Sequence, residues 1–410
     1  MRPGPSQEEI RRQNLGALLR HVHMRGATSR AELTAALGLN RSTIGALTAD
    51  LAAAGLVREE TPRETGRAGR PSLVVQPQSD RVYAYALSIE VDGLRAARVG
   101  LGGQVLDQRE TDRPRGPDVA GTVGPLAEFV RDMHKAVPPG SVYVGCGVAV
   151  CGMVRYADGM ARLSPHAGWM DEPLGTALDA ALGDAARGDA ARGGVGPVSV
   201  GSSADLSALA EHLRGVAVGC TNLVYLHGDV GVGAGIIAGG RRVTGHGGYG
   251  GEVGHMVVHP GGRHCGCGSR GCWETTVGER ALLQAAGRDG TVGRAGVLAV
   301  VDAASRGDAN AQAAVRAVGD WLGFGVANLV NIFNPEMVVF GGTLRDIYLA
   351  AAAQVRSRLN SMALPACREH LRLRTPKLGD DAALLGAAEL AFEQLLLDPL
   401  DASGTADIAG

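Results

Sequence analysis

Apolar residues in the first 55 positions recur with helical spacing in three successive stretches. Residues 7–24 place several of them on one face: Ile10, Leu15, Leu18, Leu19 and Val22. Ser29 and Glu32 form the sequence signature of a capping box, so a second helix is expected to begin there. The third stretch turns Ile44, Leu47 and Leu51 inward and ends before a glycine that suits the position after a helix.

A three-residue break, Gly38-Leu39-Asn40, separates the second and third of these helices. Two helices joined by a short turn that contains glycine are typical of a helix-turn-helix motif. In that interpretation the recognition helix enters the DNA major groove with its first residues, Asn40, Arg41, Ser42 and Thr43. The alternative is a three-helix bundle that serves protein contacts.

Short apolar pairs at 56–57 and 74–75 predict two strands that flank a polar, glycine-containing segment. The segment carries three arginines, Arg63, Arg67 and Arg70, whose guanidinium groups suit phosphates or a narrow minor groove. A hairpin after a helix-turn-helix indicates a DNA-contacting wing, so we predict a winged helix-turn-helix domain over residues 1–77. An Arg-Gly-Arg-Pro linker without DNA contacts is the alternative.

From about residue 80 the pattern changes to apolar strands that alternate with amphipathic helices. Residues 82–89 predict a strand, 94–99 and 104–106 are able to pair with it as a meander, and 119–137 predict a helix. Nearly unbroken apolar runs, typical of buried strands, follow at 143–150, 198–200, 223–226 and 337–340. The alternation predicts an α/β body in two lobes over residues 80–398, followed by a flexible tail at 399–410.

The charge distribution adds a functional indication. The chain has 410 residues and a net charge of −2, yet its first 72 residues carry eleven arginines against seven acidic residues, a net charge of +4 that leaves −6 for the remainder. A basic N-terminal part on an acidic body suggests that nucleic acid binds at one end only. No apolar run approaches the ~20 residues that span a bilayer, and no signal-peptide core is present, so a cytoplasmic protein is expected.

Three of the seven cysteines, Cys265, Cys267 and Cys272, lie within eight residues, and His255 precedes them by ten. Cytoplasmic thiols stay reduced, which favours a metal site over disulfides. Three thiolates and one imidazole complete a tetrahedral Cys₃His shell, so we predict a structural Zn²⁺ rather than a hydrolytic one.

Two further features near these ligands leave alternatives open. Glu252 and Glu274 flank the cluster and suit hydrogen bonds from sugar hydroxyls, but they are equally well explained as solvated surface carboxylates. The glycine-rich run 228–235 follows a strand and either wraps a phosphate or forms a simple hairpin. Gly341-Gly342 is expected to form a similar turn after the strand at 337–340.

Several motifs together resemble the ROK family (repressors, open reading frames, sugar kinases) over nearly the whole chain. They are Gly250-Gly251-Glu252-Val253-Gly254-His255, the Cys265-x-Cys267-Gly-x-x-Gly-Cys272-x-Glu274 signature, Asn334-Pro335-Glu336 with Gly341-Gly342, and Ser164-Pro165-His166-Ala167-Gly168-Trp169. The chain is similar to the repressor branch, that of the xylose and N-acetylglucosamine repressors, which carries an N-terminal winged helix. The resemblance implies a two-lobed actin-like (ribonuclease-H-like) fold and a homodimer or homotetramer.

The resemblance also implies a sugar pocket faced by Glu252, His255 and Glu274, with His255 a zinc ligand as well. Ser202 and Ser203 stand where the family has Asn and Asp, and His166 replaces an Asn of the motif around Trp169. Sugar binding is therefore expected to be weaker than in the family, directed to another ligand, or absent.

The same comparison with the family predicts no kinase activity. The family's catalytic base is an Asp in the place of Ser203, and a serine hydroxyl cannot accept the sugar proton unaided. The family's first phosphate loop, D-x-G-x-T, is replaced by Ile89-Glu90-Val91-Asp92-Gly93-Leu94, and the second has Val230 where a hydroxyl residue is usual. Phosphoryl transfer depends on such positioning and charge neutralisation.

These inferences combine into one prediction, a DNA-binding transcriptional regulator, specifically a repressor, that senses a sugar or related metabolite. It would bind double-stranded operator DNA as a homodimer or homotetramer. A ligand-independent regulator with a vestigial pocket is the main alternative, and an active sugar kinase is a lesser one.

Overall fold

The computed structural model describes residues 6–61, 72–113, 116, 118–165, 167–186, 198–288 and 293–401. The N-terminal segment, residues 6–77, contains α1 Gln7–Arg25, β1 Thr28–Ser29, α2 Arg30–Leu37, α3 Arg41–Ala53, β2 Val57–Glu60 and β3 Val74–Pro77. The capping box at the start of α2 is confirmed, since Ser29 accepts from the backbone of Glu32 and the Glu32 carboxylate accepts from the backbone of Ser29. The three predicted helices are all present.

A small antiparallel sheet completes the N-terminal segment. β2 pairs with β3, from Val57 opposite Pro77 to Glu60 opposite Val74, and β1 pairs with the other edge of β3. The two predicted strands are thus confirmed, while the arginines expected between them, Arg63, Arg67 and Arg70, lie outside the described residues.

The first lobe of the body is built around a mixed five-stranded sheet. Its elements are β4 Val82–Ile89, β5 Gly93–Gly100, β6 Val105–Asp112, α4 Val119–His134, β7 Val142–Val150, β8 Met153–Arg155, β9 Met160–Ser164, β10 Trp169–Glu172, α5 Leu174–Ala186, β11 Ser199–Ser202 and α6 Ser203–Leu213. The strand order is β11-β7-β4-β5-β6, in which β4, β5 and β6 form the predicted meander and β7 runs parallel to β4. Helix α4 ends three residues earlier than expected, because Pro138 disfavours a helical conformation in the residue before it.

The second lobe repeats the arrangement of a sheet covered by helices. Its elements are β12 Leu223–Gly228, β13 Val232–Ala238, β14 Arg241–Arg242, a 3-10 turn Val253–His255, α7 Glu274–Val277, α8 Glu279–Ala285, α9 Arg294–Ser305, α10 Ala309–Phe333, β15 Met337–Gly342, α11 Thr343–Met362, α12 Pro365–Arg368 and β16 Arg372–Arg374. The strand order is β14-β13-β12-β15-β16. The expected turn at Gly341-Gly342 is wrong: β15 runs through both glycines directly into α11. A side chain at Gly341 would collide with Tyr225, so glycine serves close packing there.

The C-terminal helix, α13 Ala382–Leu397, joins the N-terminal segment to the body. One continuous apolar core contains Leu19 and Val22 of α1, Val82 of β4, and Phe392 and Leu395 of α13. The segment therefore packs on the body through a shared core, and the division near residue 77 stays a prediction. The expected tail lies outside the described residues from residue 402 onward. No helix in the described ranges combines the length and apolarity needed to span a membrane.

Candidate functional site

Four potential metal ligands meet in the second lobe. His255 ends the 3-10 turn, and the loop that follows it contributes the thiols of Cys265, Cys267 and Cys272. One ligand atom from each of these residues lies within 4.8 Å of all the others. The Sγ atoms of Cys267 and Cys272 are 3.6 Å apart, as are Cys265 Sγ and His255 Nδ1. In a tetrahedral site with bonds of about 2.3 Å the ligand atoms are roughly 3.5–3.8 Å apart, so donor set and spacing fit one such ion.

The loop at 256–273 has little regular structure of its own. Two isolated bridges, Val257 with Cys272 and His264 with Arg270, are its strand-like pairings. Gly271 has φ of +71°, and a Cβ on it would collide with the carbonyl of His259. Glycine at this position therefore lets the chain fold back on itself next to the last thiol.

A cavity of about 410 Å³ lies beside the metal cluster, with walls from both lobes. The first lobe contributes Ser202 and Ser203, and the second contributes Glu252, His255 and Glu274. Five of the six residues expected to contact a sugar thus line one cavity, although they come from segments far apart in the chain. The sixth, His166, lies outside the described residues.

Two of the carboxylates that line this cavity, Glu252 and Glu274, lie against the metal cluster. Glu274 Oε1 lies 2.9 Å from Cys265 Sγ and 3.9 Å from His255 Nδ1, and Glu252 Oε2 lies 3.8 Å from His255 Nε2. Burial, together with the neighbouring Glu274, raises the pKa of Glu252, while His255 opposes this effect. Both side chains are partly exposed and line the cavity.

Ser203 is the first residue of α6 and lines the cavity. Its Oγ lies 3.7 Å from Cys151 Sγ, and among the described residues no carboxylate or histidine hydrogen-bonds to it. Burial raises the pKa of the Cys151 thiol to about 12, so the thiol is neutral. Asp205, two residues further along the helix, is paired with Arg242 at 2.8 Å.

Sequence reasoning missed a histidine–aspartate pair in the cavity wall. His227 Nε2 lies 3.5 Å from Asp229 Oδ2, at the hairpin between β12 and β13. Burial alone would lower the pKa of His227, but Asp229 raises it. The sequence feature that could have indicated this pair is the carboxylate of Asp229 within the glycine-rich run 228–235. That run forms a hairpin.

Asp229 belongs to a set of carboxylates, here called the acidic corner, around the turn between β4 and β5: Glu90, Asp92, Asp229, Glu279 and Asp380. Burial raises the pKa values of Glu90 and Glu279, and the charge of Asp229 raises both further. Leu94, in the segment predicted to replace the family's first phosphate loop, is buried. Arg95 pairs with Glu90 at 3.7 Å and Arg294 with Asp380 at 3.1 Å, so part of the negative charge of the corner is offset.

At the opposite end of the molecule, α3 begins on an exposed surface. Asn40 caps the helix, since its Oδ1 accepts from Thr43 N at 2.8 Å and from Ser42 Oγ at 2.7 Å. Arg41 is exposed and has no ion pair among the described residues, whereas Thr43 is half-buried. The four residues predicted to begin the recognition helix therefore lie together at the start of α3, but the amide oxygen of Asn40 is engaged in the cap.

A family model described as "ROK family" matches residues 84–394. The chain belongs to the ROK family. Its body accordingly has the mixed α/β, actin-like ROK fold, in which the sheets of the two lobes flank the cavity.

Relatives of two kinds match the chain to different extents. The xylose repressor of Bacillus spizizenii is 25% identical over 393 residues, which cover 95% of this chain and 97% of the repressor. A glucokinase of Halalkalibacterium halodurans is 29% identical over 336 residues, which cover 77% of this chain and 96% of the kinase. The crystal structure of a ROK family transcriptional regulator, a homolog of the E. coli Mlc protein, matches with a TM-score of 0.77 and 25% identity, covering 97% of this chain and 100% of the regulator. The similarity to regulators extends over nearly the whole chain, so a repressor is better supported than a sugar kinase.

Proposed function

We propose that this protein is a DNA-binding transcriptional repressor that responds to a sugar or a related metabolite. The observation that carries the proposal is the N-terminal segment. The family model begins at residue 84, and the preceding residues fold into helices joined by a three-residue turn, as in the DNA-binding motif of regulators. Relatives similar over nearly the whole chain include repressors.

The start of α3 is the proposed DNA-reading surface. Arg41 is an exposed, unpaired guanidinium suited to a base edge or a phosphate, and Ser42 is exposed beside it. Ala46 and Ala49 follow on the exposed side of the helix, and their small side chains allow close approach to the groove. Asn40 and Thr43 would position the helix through the cap, and Arg63, Arg67 and Arg70 would contact the backbone or minor groove as a wing.

The cavity beside the metal cluster is the proposed effector site. Its volume, about 410 Å³, suits a small molecule such as a sugar. Glu252 and Glu274 would accept hydrogen bonds from sugar hydroxyls, and Ser202, Ser203, His166 and the edge of His255 would complete the polar contacts. Loss of one such contact can weaken binding by ~1–3 kcal/mol when its partner stays unpaired.

Phosphoryl transfer is not part of the proposed function. Ser203 has no activating partner, and a neutral thiol is its neighbour. The acidic corner and buried Leu94 stand where a kinase would hold nucleotide phosphates. With neither a base nor a phosphate loop, the cavity is suited to binding without chemistry.

Zn²⁺ is the proposed occupant of the Cys₃His cluster. Thiolate and imidazole ligands at tetrahedral spacing suit this ion, and four protein ligands leave no open position for a reacting water. The ion would fix His255 and the flanking carboxylates at the edge of the cavity. It would thus act on effector binding through structure rather than catalysis.

A homodimer or homotetramer in the cytoplasm would present two N-terminal segments to a palindromic operator. A ligand that favours one arrangement of the subunits would then change the distance between the two recognition helices. Binding is lost when that distance no longer matches the half-site spacing.

The test is a gel-shift titration on the DNA upstream of the protein's own gene, with and without a panel of sugars. We expect specific binding that one sugar releases. Arg41→Ala should weaken specific binding about ten- to a hundred-fold, whereas Arg316→Ala, at an exposed and unpaired arginine of α10, should leave it unchanged. Specific binding that no sugar alters would indicate a vestigial pocket, and the absence of specific binding would refute the regulator.

A further inference from the structure

A second cavity, of about 400 Å³, lies between the N-terminal segment and the body. Its walls come from α1, α6, the β13–β14 hairpin and α13. Arg20 and Met24 line it from α1, whereas Leu209, His212 and Ile237 line it from the body. It shares no lining residue with the cavity beside the metal cluster.

The carboxylates in this second cavity are already neutralised. Glu389 accepts hydrogen bonds from His23 and Arg214, and Glu393 is paired with Arg242 at 2.7 Å. Arg242 also pairs with Asp205. These acidic and basic groups pair with one another, so none of them presents an unpaired charge to a ligand.

Two arginine side chains and one buried histidine nitrogen of the cavity lining lack a hydrogen-bond partner among the described residues. Arg20 and Arg241 are exposed at its edge, and neither has an ion pair or side-chain hydrogen bond among the described residues. His212 Nδ1 is buried without a hydrogen-bond partner, while the ring bonds to the backbone of Cys220 through its other nitrogen. Burial lowers the pKa of His212, which keeps the ring neutral and leaves Nδ1 as an acceptor.

This combination defines the chemistry of a ligand. Two free guanidinium groups, one on each side of the boundary, favour an anion, and carboxylate and phosphate both match guanidinium geometry. The apolar wall formed by Met24, Leu209 and Ile237 suits a short carbon skeleton.

We propose that this cavity is a second small-molecule site, which binds a carboxylate or a phosphate ester between Arg20 and Arg241. Such a ligand bridges the N-terminal segment and the body, so its binding free energy stabilises their docked arrangement. The proposal is independent of the effector proposed for the first cavity and of DNA binding.

Isothermal titration calorimetry on the full chain tests the site with two probes, gluconate and glycerol 3-phosphate, at constant ionic strength. The uncharged counterparts, glucitol and glycerol, are the matched controls. We expect at least one anion to bind with a stoichiometry of one per chain, and neither uncharged counterpart to bind at this site. Binding of gluconate alone assigns a carboxylate ligand, binding of glycerol 3-phosphate alone assigns a phosphate ester, and binding of both supports the shared chemistry.

Variants locate the binding. Arg20→Gln and Arg241→Gln should each weaken anion binding at least about ten-fold, because each removes a charge-assisted contact. Both side chains are exposed, so thermal denaturation should show unchanged folding. Arg316→Gln, and Glu252→Gln in the first cavity, should leave anion binding unchanged. The proposal is overturned if neither anion binds up to about 10 mM, if both cavity variants bind like the wild type, or if Arg316→Gln has the same effect as they do.

Discussion

Glu389 is the residue whose environment departs most from that of an ordinary surface glutamate. It is 2% exposed and accepts from Arg214 Nε at 2.5 Å, while its other oxygen lies 2.9 Å from Nε2 of the fully buried His23. The backbone N–H of Gly102 donates to the second ring nitrogen of His23 at 2.9 Å. Helices α1 and α13, the end of α6 and the turn after β5 are thus joined through one carboxylate.

Removing that charge should destabilise the protein strongly. Glu389→Gln leaves the partly buried Arg214 without its counter-ion, and breaking a buried pair in this way costs about 3–5 kcal/mol. Glu60→Gln, which breaks the exposed pair with Arg58, is a matched substitution with an expected cost below about 1 kcal/mol. Urea denaturation of the two variants measures the difference, and equal losses would contradict a structural role for the buried carboxylate.

The same carboxylate predicts an acid-labile contribution to stability. Burial alone would raise the pKa of Glu389, but His23 and Arg214 lower it from 4.5 to about 2. A lowered folded-state pKa means that the stabilisation is complete above pH 4.5 and is lost as the pH falls from 4.5 towards 2. The free energy of unfolding should therefore fall more steeply in the wild type than in Glu389→Gln across this window. Parallel curves of unfolding free energy against pH would show that Glu389 does not titrate as expected. Acid effects on the thiol cluster are the same in both proteins, because both retain the cluster, and therefore cancel in the comparison.

Among the elements, the loop at 256–273 is the one that we expect to depend on the proposed zinc ion, since its regular pairings are two isolated bridges. The wild type should contain about one zinc per chain, and Cys272→Ser should contain close to none, because three ligands bind far more weakly than four. Cys367→Ser, at a cysteine outside the cluster, should retain the metal. Elemental analysis after dialysis gives the stoichiometry, and zinc retained by Cys272→Ser would exclude the proposed ligand set.

Proteolysis provides a second measurement of the same loop. Chelation should expose it to trypsin at Arg263 and Arg270, which flank the first two thiols, Cys265 and Cys267. Unchanged cleavage after complete metal removal would mean that the loop keeps its conformation without the ion.

For the whole molecule, the shared core between α1, β4 and α13 makes the N-terminal segment a stabilising part of the body. A chain of residues 78–410 would expose Phe392, Leu395 and Leu396 to solvent. Each such side chain contributes roughly 1.5–3 kcal/mol when buried. All three tryptophans, Trp169, Trp273 and Trp321, lie in the body, so their fluorescence reports its unfolding in both chains. The truncated chain should unfold at lower urea concentration, whereas identical midpoints would show two independent domains.

Local interactions explain why much of this protein was predictable from its sequence. The capping box at Ser29, the three N-terminal helices, the meander of β4 to β6 and the buried strands β7, β12 and β15 follow from residue spacing over a few positions. The metal ligands were predictable for the same reason, since three of them lie within eight residues. Each of these features depends on the geometry of one helix, strand or loop.

Contacts between distant segments were decided by the tertiary structure. His23 and Glu389 are 366 residues apart, and no pattern around either residue indicates that they pair. His227 and Asp229 line the first cavity together with Ser203 of the other lobe because of where the β12–β13 hairpin lies in the folded chain. The unsatisfied groups of the second cavity come from α1, α6 and β14, whose relative positions depend on how the apolar faces of the whole chain pack. Residue spacing determines which face an element buries, but only the assembled core determines which polar groups then meet.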